Sequence, residues 1–184
     1  ALIELPKGIA KQKELTHLDI HGNYIRTIPH TFMQLSQLQK VNLSNNLLEN
    51  ISWVVNYWWD LKELNVLHNT KLEAEGLLVN LCYHDEIDKL SISNLSVLPR
   101  DFKHLPVSEI HIAHSTIAQF PRADYSSQIK HITFTDCVFP LPENVVKTLN
   151  NLVKPEYVAF NKMEDVQLIP FLNLNVDSIS AVNN

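Results

Sequence analysis

Glycine is scarce in this chain, with three among 184 residues, against nine prolines. With 45% hydrophobic residues, that composition excludes a flexible linker or a disordered segment and predicts one domain with a sizeable core. A phosphate-cradling glycine loop, G-x-S-x-G and H-E-x-x-H are all missing, and with them the usual signatures of nucleotide cradles, serine hydrolases and zinc proteases. Basic residues are in the minority, 15 against 20 acidic, for a formal charge of −5. A nucleic-acid partner would want a basic surface, so none is expected. No run approaches the roughly eighteen apolar residues of a spanning helix. Two cysteines are too few for a disulfide framework. No secretory leader is visible, but a chain that opens in mid-pattern has no place to show one.

What is present is a grid. Leu15, Leu18, Ile20, Asn23 and Ile25 fit L-x-x-L-x-L-x-x-N-x-L, and Leu38, Val41, Leu43, Asn46 and Leu48 repeat it one period later. Further windows open at Leu61, Ile87, Val107, Ile129, Pro155 and Val176, at intervals of 20 to 26 residues. The asparagine position holds Asn69 in the third window, then Leu95, Ser115, Cys137, Met163 and Asn184. Ile3 to Ile9 matches the half-repeat that contains Ile28, Pro29 and Phe32, without its strand.

The spacing has a direct physical reading. The second and third apolar residues alternate along a short strand and point inward, while those between them point outward. The asparagine can then satisfy backbone groups where the chain turns. Asn46 is therefore expected buried and bonded to backbone, and Leu95 buried in an apolar pocket. In the return, Pro29 suits the first turn of a short helix, with Phe32 and Leu35 on its inner face.

This pattern resembles the leucine-rich repeat family, over essentially all 184 residues. The I/L-P-x-x-F/I-x-x-L return is most like the 23-residue type of bacterial arrays, such as those of spirochaetes, and of intracellular scaffold proteins. The resemblance implies an α/β fold: a right-handed solenoid with a parallel concave sheet, short helical or irregular convex segments and about eight repeats. It implies one domain over residues 1–184, regular over 1–70 and degenerate over 87–184. Neither end shows a polar cap, so an uncapped piece of a longer array is expected. The bacterial likeness points to a secreted or cell-surface place over a cytoplasmic one.

Nine histidines raise the question of a metal. His17, Asp19 and His21 alternate outward on the first strand, but such neighbours lie about 6.5–7 Å apart at the backbone and no fourth ligand is forced. Solvated histidines are the simpler account, and no metal or cofactor is expected. Cys82 and Cys137 lie three coils apart, roughly 14 Å, beyond the ~7 Å reach of a disulfide. Cys137 reads as a buried thiol standing in for asparagine. Asn42, Asn50 and Asn94 open glycosylation sequons, which the repeat's own need for asparagine and serine explains.

Two surfaces remain as candidate partner sites. The outward strand positions form rows across the sheet, and in the regular half these hold Asp19, His21, Lys40, Asn42, Glu63 and Asn65. An extended hydrogen-bonding face of mixed charge suits a protein or peptide. The second surface is the aromatic run from Trp53 to Trp59. Aligned on the first repeat, Val55 and Trp58 fill core positions, whereas Trp53, Tyr57 and Trp59 face outward unless the segment from Leu72 to Tyr83 folds over them. The expected function is protein–protein interaction or recognition, with no enzyme activity of its own. The alternative is a recognition or regulatory domain of a larger enzyme, such as a bacterial effector or signalling protein.

Overall fold

The computed structural model describes residues 1–99, 102, 104–118 and 128–182. Each of the eight windows yields one strand: β1 His17–Asp19, β2 Lys40–Asn42, β3 Glu63–Asn65, β4 Ile87–Ser93, β5 Val107–Ala113, β6 His131–Thr135, β7 Tyr157–Asn161 and β8 Ser178–Val182. They lie in chain order in one open sheet, and neighbours pair in parallel throughout. Parallel neighbours need a crossover between them, and each return segment supplies one. The register aligns His17, Lys40, Glu63 and Lys89 in one row and Asp19, Asn42, Asn65 and Ser91 in another.

Among the described residues several returns hold short helices. A 3-10 turn spans His30–Gln34, α1 covers Ser52–Val55, α2 Ala74–Leu81, α3 Pro142–Thr148 and α4 Asp165–Leu168. Pro29 stands just before its helix, at the N-cap with ψ 143°, one place earlier than the first-turn position expected of it. Its ring still fixes φ at −61°, which aims the chain into the turn without using a donor. Ile25, Phe32, Leu35, Leu38, Val55 and Trp58 are fully buried, each worth about 1.5–3 kcal/mol for a large side chain removed from water. Together with their counterparts in later coils they make one continuous core.

The turns are held by a column of inward side chains. The Asn46 amide donates to the carbonyls of Ile20 at 2.9 Å, Leu43 at 3.1 Å and Ser44 at 3.3 Å, and its oxygen accepts the Ile25 N–H at 3.1 Å. Asn69 repeats this one coil on, bonding Leu43, Val66 and Leu67 carbonyls and the Leu48 N–H. Asn23 does the same with Ile20, His21 and the Leu2 N–H. Leu95 is buried and apolar, as expected. Ser115 accepts the Leu95 N–H at 3.0 Å and donates to Ala113, and the Cys137 thiol donates to Ile112 and Thr135 at 3.4 Å each. Met163 fills its place by volume. Asn184, which the grid puts next in this column, lies outside the described residues.

Immediately before each of these residues stands one in the left-handed conformation: Gly22, Asn45, His68, Asn94, His114, Asp136 and Lys162, with φ from 46° to 67°. That seat turns the chain off the sheet in every coil. Glycine, asparagine and aspartate take it readily; His68, His114 and Lys162 hold it under strain. Neither Cys82 nor Cys137 forms a disulfide, and burial, more than any charge nearby, pushes the Cys137 thiol up to about 11.

Candidate interaction faces

On the open face of the sheet, β1 to β4 line one shallow depression of about 300 Å³. Five of the six residues expected there, Asp19, Lys40, Asn42, Glu63 and Asn65, are on its wall. His21 is not: its ring nitrogen bonds the Asp19 carboxylate at 2.6 Å beside the depression. The depression also takes in His17, Lys89 and Ser91. Lys89 and Ser91 continue the same two rows into the fourth strand, where the alternation of outward positions puts them.

The rows differ in how far the fold itself uses them. In the middle row, Asp19, Asn42 and Asn65 each accept a backbone N–H from two residues on: His21 at 3.0 Å, Ser44 at 3.2 Å and Leu67 at 3.1 Å. These bonds end each strand with an Asx turn. The His21 backbone N–H first, and its ring second, hold the Asp19 carboxyl below the usual carboxylate range, so it presents a stable negative charge. Asn42 also donates to Asp19 at 3.3 Å. Among the described residues the Asn65 side-chain nitrogen donates to nothing.

The outer row alternates in sign. Lys40 pairs with Glu63 and Lys89 with Glu109, each at 2.6 Å across neighbouring strands. All four side chains are well exposed, so each pair contributes only about 0–1 kcal/mol. A partner could exchange these contacts for its own at little expense in stability. Further along, His111 bonds the Thr135 hydroxyl at 2.9 Å. Burial first, then the Lys89 charge, lowers its pKa and keeps the ring neutral.

Among the described residues no three of His, Cys, Asp or Glu converge as a metal group. His17 is bonded to the Thr16 hydroxyl at 2.9 Å, His114 to Asp136 at 2.8 Å, and the His68 and His114 rings face each other at 4.9 Å.

On the helical side the aromatic run divides. Tyr57 and Trp59 are exposed, at 42% and 73%. Trp53 departs from the outward placement: it is half-buried against the core, its ring 4.6 Å from His30. The alignment put Trp53 and His30 in one column but gave no sign that they pack on each other. The segment from Leu72 to Tyr83 does not cover Tyr57 or Trp59; α2 lies beside α1, joined through Asn56 to Asn80 at 2.7 Å. His84 occupies the column of Leu35 and Trp58 and bonds the Val55 carbonyl at 3.1 Å, much as the Trp58 indole donates to Phe32. Burial lowers its pKa.

The family described as "Leucine rich repeat" matches this sequence twice, over residues 2–48 and 13–72. Those residues hold β1 to β3 and the asparagines Asn23, Asn46 and Asn69 of the ladder. Residues 2–72 are leucine-rich repeats. It is also similar to an adenylate cyclase of Schizosaccharomyces pombe (strain 972 / ATCC 24843), 49% identical over 44 residues. That stretch is 24% of this chain and 3% of the cyclase. The bacterial origin expected from the resemblance gains no support from this relative. Leucine-rich repeat domains are protein-interaction modules, and no helix among the described residues is long and apolar enough to cross a membrane.

Proposed function

We propose that this leucine-rich repeat protein binds a protein or peptide partner on the open face of its sheet, centred on Asp19, Lys40, Asn42, Glu63 and Asn65. The carrying observation is the depression of about 300 Å³ that these residues line across β1 to β4. Its wall offers one fixed anion, one complete exchangeable ion pair, the lysine of a second and an uncommitted amide donor. Such a face selects a polar, extended segment rather than an apolar one. His21 acts at second hand, by holding Asp19 ionised and oriented.

The test begins with peptides selected from a random display library against the intact chain. Exchange of the charges, Lys40→Glu with Glu63→Lys, keeps an ion pair between β2 and β3, reverses its polarity and sets the new lysine beside Lys89. Affinity for the selected peptides is expected to fall about tenfold or more, in line with one lost charged contact. Unchanged affinity in the exchange variant, with loss in Trp59→Ala, overturns the open-face reading.

A second reading has its own observation. The 49% match to 3% of an adenylate cyclase supports a recognition or regulatory domain of a larger enzyme. On that reading the repeats recruit or regulate, and catalysis lies elsewhere in the polypeptide. Sequencing the full gene tests it: an open reading frame without any catalytic domain removes this alternative.

A further inference from the structure

We infer that the helical side of the second and third coils is a second docking surface, built to take an arginine-bearing segment of a protein partner. It is separate from the sheet face and does not rest on the function proposed for that face.

Three large aromatic side chains stand in water here: Tyr57 at 42% exposure, Trp59 at 73% and Tyr83 at 81%. Two cross-coil bonds fix the ground between them. At one end the His84 ring bonds the Val55 carbonyl at 3.1 Å; at the other Lys62 bonds the Glu86 carboxylate at 3.3 Å. These bonds tie the two segments together, and counted back from Leu61 and Ile87 Tyr57 and Tyr83 hold one column of the repeat and Trp59 and Asp85 another. The Trp59 indole N–H is already spent on the Asn56 carbonyl at 3.0 Å, which holds the ring and leaves its faces open. The first coil, by contrast, carries Gln34, Ser36 and Gln37 at the matching places and does not share this aromatic surface.

Charge decides the occupant. Asp60, Asp85 and Asp88 are exposed, and among the described residues none of them forms an ion pair. Glu86 is the one neutralised, by Lys62. Electron-rich ring faces beside unpaired carboxylates attract a cation that also stacks, and guanidinium does both better than ammonium. Exposed Trp and Tyr are the side chains that most often anchor an interface. A hydrophobic partner would leave three carboxylates desolvated without a counter-charge, so it is disfavoured.

The experiment follows the three tryptophan indole N–H signals of the intact chain by NMR. Twelve-residue peptides are titrated in, alternating glycine with arginine, lysine or glutamate. With the arginine peptide, the Trp59 signal is expected to move saturably while that of buried Trp58 stays. The lysine peptide should bind several-fold more weakly, and the glutamate peptide should leave the signal in place. A chain of net charge −5 attracts any basic peptide, so the deciding variant keeps the charge. Tyr83→Ala should weaken the arginine peptide about fivefold, read at the Trp59 signal. The triple change of Asp60, Asp85 and Asp88 to asparagine should flatten the salt dependence. Equal affinities for arginine and lysine together with an unaffected Tyr83→Ala would mean non-specific attraction and overturn the assignment. So would a Trp59 signal unmoved by the arginine peptide, or one moved equally by the glutamate peptide. Lys40→Glu with Glu63→Lys should leave these titrations unchanged, which separates this surface from the sheet face.

Discussion

The first three coils and the later ones close the same turn with different chemistry. In the first, Asn23, Asn46 and Asn69 each reach into the turns of their own and the preceding coil with amide hydrogen bonds. In the later coils the same inward seat passes to Leu95, Ser115, Cys137 and Met163, all buried. The polar work is redistributed. Leu72 satisfies its N–H on Asn69 within its own coil at 3.0 Å, and the Asn94 amide, from the seat beside Leu95, donates to the same carbonyl at 3.1 Å. Ser115, with a shorter side chain, accepts the Leu95 N–H and donates only to the Ala113 carbonyl of its own coil. Further on, packing takes over: Phe134 stacks on Phe160 at 5.6 Å and meets Phe139 edge-on at 5.0 Å, and Phe171 joins Phe160 at 4.5 Å. The seat demands an inward side chain that fits; an amide is one solution among several.

Truncation at the two kinds of seat separates them. Leu95→Ala should open a cavity and cost about 2–5 kcal/mol, read as a lowered urea midpoint. Asn46→Ala should cost about 1–3 kcal/mol by leaving carbonyls and the Ile25 N–H without partners. A loss below about 0.5 kcal/mol for Asn46→Ala would show that water serves the turn, and the contrast between the coils would disappear. The two cysteine thiols compare the third coil with the sixth. Half-exposed Cys82 should react with a thiol reagent at neutral pH well before Cys137, which burial protects and whose pKa stands at about 11. Equal labelling rates would show that the sixth coil opens as readily as the surface.

Acid bears on the middle coils. Burial lowers the pKa of His68, His84 and His111 from the ordinary 6.5, with the His114 charge adding to the effect at His68. The unfolded chain therefore binds these protons first. Their contribution is complete above about pH 6.5 and is lost as pH falls through the folded values. The urea midpoint should be lower at pH 5.5 than at pH 7.5. Two carboxyls with lowered pKa act only near and below their ordinary 3.8 and 4.5: Asp19, held by the His21 N–H, and Glu75, where bonds from Ser96 outweigh the burial that raises it. An equal midpoint at the two pH values would mean that the three histidines are as solvated in the fold as outside it.

The smallest effect belongs to the outer row of the sheet face. Lys40→Glu alone, which sets like charges side by side across β2 and β3, should shift stability by no more than about 1 kcal/mol, and adding Glu63→Lys should restore it. A shift of several kcal/mol would mean that the row carries structural energy and is not free to serve a partner.

The strands were legible because apolar periodicity survives even where the asparagine does not: the windows at Pro155 and Val176 still give β7 and β8. The open-face residues followed from the same alternation. Less legible was whatever depends on contact between coils. The left-handed seat falls on a free position of the template, and His68, His114 and Lys162 hide the preference that Gly22, Asn45, Asn94 and Asp136 display. His84 escaped because the third interval is 26 residues; counted back from Ile87, rather than forward from Leu61, it falls into the column of Trp58. Trp53 was misplaced because its partner, His30, is a whole coil away in sequence.

The left-handed seat also determines which folding errors are open to this chain. A slip of one residue would move Ser44 or Asn46 into the place of Asn45 and turn Leu43 out to water, so the frame within a coil is locked. A slip of one whole coil breaks none of these rules, since Gly22 and Asn45 occupy equivalent seats. Misfolding is thus counted in coils: a skipped turn of the solenoid, or a turn lent by one molecule to another. The irregular intervals and the change of chemistry after Asn69 work against that error, because a late coil laid in an early place would meet an amide where it needs a leucine.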